Sequence, residues 1–131
     1  LLGHVLRLLP ALLIGLLAAA GNAAPLAPAA RVEIDGLLTR LETSGCEFNR
    51  NGTWYPPTEA RSHLLRKLKY LEDRGLVASA EQFIERAGSS SSTTGKPYLV
   101  RCGGGAPVES GTWLASELRG MRSAGGAKRV P

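Results

Sequence analysis

Apolar residues recur along the chain with two periods, and the switches between them mark the elements. Over residues 30–44, Ile34, Leu37, Leu38 and Leu41 fall on one side at helical spacing, with Glu33, Asp35, Arg40 and Glu42 opposite. That pattern predicts an amphipathic first helix whose apolar face is core. Gly45 follows, suited to the left-handed residue that ends a helix. Residues 46–49 and 53–55 then read as two short strands, with Cys46 and Phe48 on one face and Glu47 and Asn49 on the other. Asn51-Gly52 between them favours the positive-φ turn that closes a hairpin. Asn51-Gly52-Thr53 also spells a glycosylation sequon, but turn chemistry is the simpler explanation.

Pro56-Pro57 forbids further sheet pairing, and a second helix is expected over 58–74, capped by Thr58 with Glu59 in its first turn. At 100° per residue, Ala60, Leu64, Leu68 and Leu71 fall within an arc of about 80°, the buried stripe. A second arc of about 80° carries Glu59, His63, Lys67, Tyr70 and Arg74. Ser79-Ala80-Glu81-Gln82 is a capping-box signature that opens a short third helix to Ala87, and Gly88 stops it. A polar Ser/Thr loop spans 89–95. Residues 98–102 read as a strand, with Tyr98, Val100 and Cys102 on one face. Ser110 caps a fourth helix carrying Trp113, Leu114, Leu118 and Met121. The final stretch, 121–131, is rich in Gly, Ala, Lys and Arg, loses periodicity from Ser123, and is expected to be a disordered tail. The fold class that results is α+β: a small antiparallel sheet of two to three short strands packed against three to four helices, in one domain over residues 25–120.

The first twenty-four residues carry the localisation. His4 and Arg7 precede an apolar run broken only by Pro10 and Gly15, and small residues follow before Pro25. A charged start, a short apolar run and a small-residue exit form a secretory signal peptide, with cleavage expected after Ala23 or Ala24. The run falls short of the ~20 residues of a bilayer span, so no membrane association is expected after its removal; an uncleaved anchor is the alternative. In an oxidising compartment two cysteines read as one disulfide, which here must join Cys46 to Cys102. It closes a loop of about 57 residues, for which chain entropy gives roughly 4 kcal/mol.

The formal net charge of +5 is carried mostly by the two ends. Residues 25–120 hold 12 basic and 11 acidic side chains, a net +1, which sets nucleic-acid binding aside. With His4 in the leader and both cysteines paired, too few soft ligands remain for a four-coordinate zinc. No metal and no cofactor are expected.

Candidate chemistry concentrates around the hairpin and the second helix. Glu59 and His63 are four residues apart, as are His63 and Lys67, so these side chains can meet on the helix surface. A carboxylate holding an imidazole is a possible general-base pair, which would make a small envelope hydrolase. Lys67 and Tyr70 are suited to orienting an anionic or sugar-like ligand. Residues 88–97 mimic a phosphate-binding loop, but six residues rather than four separate the glycines and Pro97 replaces the required hydroxyl residue. No Gly-x-Ser-x-Gly elbow surrounds any serine. The expected binding surface combines Arg50 and Asn51 of the turn, His63, Lys67 and Tyr70 of the helix, and Lys96 and Tyr98 after the Ser/Thr loop. No residue is assigned a catalytic role. An inhibitor of an envelope enzyme is a further possibility, expecting a protruding hairpin with an apolar patch near Trp54.

The run Ser44-Gly45-Cys46-Glu47-Phe48, Arg50-Asn51-Gly52, Trp54-Tyr55, Glu59-Ala60, His63-Leu64, Lys67, Tyr70-Leu71, Gly95-Lys96-Pro97-Tyr98 and Cys102 resembles the YfeK-like family of small exported bacterial proteins with a domain of unknown function. The resemblance covers about Arg31 to Arg119. It implies a periplasmic or envelope location in Gram-negative bacteria and brings no activity, ligand or catalytic residue. The functional expectation is therefore a non-enzymatic binding or interaction module of the cell envelope, with an unidentified envelope ligand or protein as partner.

Overall fold

The computed structural model describes residues 3, 10, 11, 14, 15 and 25–127; the expected leader falls almost wholly outside them. Four α-helices and four strands follow in the order α1 (Pro28–Thr43), β1 (Glu47–Arg50), β2 (Thr53–Tyr55), α2 (Pro57–Asp73), α3 (Ala80–Phe83), β3 (Leu99–Arg101), β4 (Val108–Glu109) and α4 (Ser110–Ala127). The class is α+β as the periodicity implies, but the sheet has four strands rather than two to three, in the antiparallel order β2-β1-β3-β4. The extra strand is two exposed residues that pair with Leu99 and Val100, too short for any alternation to register.

Helix α1 is the centre of the core. Among the described residues seven large side chains are fully buried, and Ile34, Leu37, Leu38 and Leu41 of α1 are four of them. Each contributes roughly 1.5–3 kcal/mol relative to exposure, so no other single element buries as much. Around it pack Leu64, Leu68 and Leu71 of α2, Phe83 of α3, Val100 of β3 and Leu114 and Leu118 of α4. The sheet turns its Phe48–Val100 face inward, where the Phe48 ring meets Trp113 edge-to-face at 5.6 Å. On the outer face Arg101 pairs with Glu47 and lies 3.9 Å over the Trp54 ring.

Local signals explain the boundaries. Asn51 and Gly52 both take positive φ, 51° and 86°, as the two-residue hairpin turn demands. Helix α2 starts at Pro57, one residue before the expected Thr58 cap, with Pro56 O accepting from Glu59 N and Ala60 N. Proline is favoured in the first turn because it lacks the N–H that would go unpaired there. At the other end Leu76 N bonds Leu71 O and Gly75 N bonds Glu72 O, the Schellman arrangement. Ser79 caps α3 as predicted, accepting from Gln82 N, while the Gln82 side chain reaches back to Ala78 N. The third helix then differs from a regular α-helix: Ile84–Gly88 form a π-turn. Gly88 is buried there against Leu114, whose Cδ1 would stand 2.5 Å from an added Cβ. A side chain at 88 would push α4 away.

The cysteines are joined as expected, with Cα atoms 4.2 Å apart. They flank the Glu47–Arg101 pair of β1 and β3, so the disulfide extends that ladder and fixes its register. The largest departure is at the C-terminal end, where α4 continues past residue 120 to Ala127. Met121 packs on the core and Arg122 bonds both Glu33 of α1 and Glu81 of α3. Those tertiary contacts hold a Gly/Ala-rich stretch that local propensity alone would leave unstructured. Residues 128–131 lie outside the described residues.

Candidate functional site

The alternation that buries Phe48 places Arg50, two residues on, on the same inner face of β1. It thereby points at α2 rather than into solvent. Its Nη1 lies 2.8 Å from His63 Nδ1, and its guanidinium stands 5.0 Å from the centre of the Tyr55 ring. A guanidinium has only donors, so Nδ1 accepts that bond and the ring proton sits on Nε2. Nε2–H then donates to Tyr98 Oη at 2.9 Å. Lys67, one turn along α2, donates to the same oxygen at 3.1 Å and to Ser90 O at 2.9 Å. Hairpin, helix and loop are thus joined through one imidazole and one phenol.

The Ser/Thr loop is folded on itself. Ser91 N bonds Lys96 O, Gly95 N bonds Ser91 O and Tyr98 N bonds Ser89 O. The buried Ser91 hydroxyl accepts from Thr93 N and Thr94 N. Asn51 of the hairpin turn ties in from the other side, donating from Nδ2 to Ser91 Oγ and accepting from Thr94 Oγ1 at 2.7 Å. The turn therefore does not protrude as the inhibitor reading expects, and the Trp54 ring is covered by Arg101.

Two lobes of a cleft flank this network. The first, of about 300 Å³, is lined by apolar Leu41, Phe48, Ala60 and Leu64 together with Tyr55 and Glu59; the second, of about 410 Å³, by Lys67, Tyr70, Arg86 and residues of the Ser/Thr loop. Arg50, His63, Arg66 and Tyr98 line both. These volumes sit at the lower end of the range of small-molecule sites.

The electrostatics follow from burial among cations. Desolvation, then the charges of Arg50, Lys67 and Arg66, lower the His63 pKa from 6.5 to about 4. The ring is neutral at physiological pH, as its acceptor role toward Arg50 requires. Desolvation and Arg50 lower Lys67 to about 8. Burial pushes the Tyr98 phenol upward, against a smaller opposing effect of Arg50, which keeps its proton in place.

Of the residues expected at the site, Arg50, Asn51, His63, Lys67 and Tyr98 come together. Tyr70 lines the second lobe but is 55% exposed, with the Arg74 guanidinium 3.6 Å over its ring. Lys96 is not brought in: it is exposed, and its described hydrogen bonds are made by its backbone. The Glu59–His63 base pair is not formed either. Glu59 is exposed and its carboxylate makes no hydrogen bond among the described residues, while Arg50 and Tyr98 occupy the two ring nitrogens of His63. Helical spacing permits an i,i+4 contact without enforcing it. Arg66 and Arg86 were not anticipated. A signal for Arg66 existed, in the lack of any acid three or four residues away along the helix.

Residues 28–122 match the model of a family of unknown function, DUF5329. The chain belongs to that family, in line with the resemblance noted from its motifs. It is also 44% identical over 66 residues to "Uncharacterized protein YfeK" of Salmonella typhimurium (strain LT2), an alignment that covers 50% of this chain and 53% of that protein. The chain thus spans about half the length of this relative. No solved structure matches it.

Proposed function

We propose that the chain is a non-enzymatic binding module of the bacterial cell envelope, exported through the leader at residues 1–24, whose two-lobed cleft holds a ligand. The observation that carries this reading is the convergence of three separate segments on one polar network, Arg50–His63–Tyr98–Lys67, at the shared wall of the two lobes. Preorganised polar groups beside an apolar lobe are how small-molecule sites combine orientation with burial. Export is supported by the leader's pattern and the Cys46–Cys102 disulfide. A hydrolase reading loses its base, since the imidazole has no carboxylate partner and both its nitrogens are engaged.

The test is retention. Protein mixed with the small-molecule fraction of an envelope extract is separated by gel filtration, and the retained molecules are identified by mass spectrometry. The wild type is expected to retain at least one molecule that a folded His63→Ala/Lys67→Ala variant loses. Identical retention by both proteins would overturn a ligand site at the His63–Lys67 network.

A further inference from the structure

The cations of this domain differ in whether a carboxylate holds them. Arg31, Arg40, Arg61, Lys69, Arg101 and Arg122 each hold a carboxylate. Seven described cations hold none; Arg74, Lys96 and Arg119 lie outside the second lobe of the cleft, while Arg50, Arg66, Lys67 and Arg86 all line it. Among the described residues no Asp or Glu lines that lobe. Like charges gathered without a counter-charge raise the energy of the empty protein, and an anion entering from solvent relieves that repulsion.

The hydrogen-bond inventory points the same way. Arg50 spends its donation on His63 Nδ1, which fixes the ring proton on Nε2. Tyr98 Oη receives both that proton and one from Lys67, so its two acceptor positions are filled. Its own O–H proton is left without a partner among the described residues. The remaining guanidinium and ammonium protons, this phenolic proton and the hydroxyls of Ser92 and Thr93 make a wall rich in donors. A carboxylate is planar, with acceptor sites in one plane; a phosphate group presents three terminal oxygens in three directions and about two charges. The second lobe matches the latter in both charge and directionality.

We propose that the second lobe receives the phosphate group of a small phosphomonoester, its organic body lying in the adjoining apolar lobe. This inference rests on the binding reading above and deepens it. The depression of Lys67 and His63 by burial and by the Arg50 charge is the electrostatic counterpart of the same crowding.

Calorimetry and two-dimensional NMR of the full chain test it with phenyl phosphate, inorganic phosphate, benzoate and phenol as probes. Phenyl phosphate is expected to shift the His63 ring and the amides of Arg50 and the Ser/Thr loop, and to bind at least tenfold more tightly than benzoate. Inorganic phosphate is expected to compete with it at lower affinity. Arg66 is exposed, and no protein bond holds its side chain among the described residues, so Arg66→Glu leaves the fold intact while weakening phenyl phosphate by about tenfold or more. Lys67→Met weakens it by at least as much. Phenol binding in the cleft as tightly as phenyl phosphate would overturn the phosphate inference and leave the binding reading standing. Binding of inorganic phosphate with no advantage for phenyl phosphate would remove the organic body from the proposal. Absence of cleft shifts with every probe would overturn it outright, while retention from the extract continues to decide the binding reading separately.

Discussion

Acidification protonates His63 in the unfolded chain long before it does so in the folded protein, where the pKa falls from 6.5 to about 4. Stability rises with pH wherever the unfolded state binds more protons. The stabilisation is therefore complete above pH 6.5 and is lost as pH falls toward 4. At 1.36 kcal/mol per pKa unit the ceiling is about 3 kcal/mol. The ring is only half-buried, and solvent screening reduces the expected effect to about 1–2 kcal/mol. Carboxylates titrate in the same range, so the measurement is a difference: urea unfolding of wild type and His63→Gln at pH 7.5 and 4.0 with the disulfide intact. The wild type should lose about 1–2 kcal/mol more than the variant across that interval. An NMR titration of the ring gives the pKa directly. Equal losses in the two proteins, or a ring that titrates at 6.5 or above, would refute the view that His63 is a desolvated acceptor for Arg50.

Three further substitutions probe the scaffold by denaturant unfolding. Replacing both Cys46 and Cys102 by Ser should cost roughly 4 kcal/mol, because the lost crosslink spans 56 residues; a loss below about 1 kcal/mol would mean that the sheet holds its register unaided. Gly88→Ala should cost about 1–3 kcal/mol, since the new Cβ meets the fully buried Leu114 at 2.5 Å. Gly36→Ala meets only the flexible end of the partly buried Met121 side chain, its Cε and Sδ, and gains helix propensity, so it should be neutral or stabilising by up to about 1 kcal/mol; equal penalties at 36 and 88 would contradict the packing described for α4.

Much of this structure was legible because burial imposes its period on the sequence. The stripes Ile34-Leu37-Leu38-Leu41 and Leu64-Leu68-Leu71 read as helix faces and are core. Asn51-Gly52 announced its turn, and two cysteines admitted one pairing. What stayed hidden depends on distant partners. Arg122 finds Glu33 across 89 residues of sequence and Glu81 of α3 as well, and those contacts together with Met121 distinguish the end of α4 from a frayed tail. Strand β4 exists through Leu99 and Val100 and carries no pattern of its own. The site divides in the same way. His63 and Lys67 share a helix face that periodicity reveals, and the alternation of β1 brings Arg50 to them. Arg86 enters from the π-turn, whose geometry no spacing rule anticipates, and Lys96 is turned out by a loop that closes through its backbone.

The binding reading is tested most directly by mapping where the whole protein is touched. Amide and imidazole spectra of the isotope-labelled chain are recorded as the small-molecule envelope fraction is added, then repeated with the His63→Ala/Lys67→Ala variant. Shifts that saturate, gather at Arg50, Asn51, His63, Lys67 and residues 90–98, and vanish in the variant are the predicted result. Shifts confined to α4 or the outer face of the sheet, or a spectrum that does not change, would contradict it.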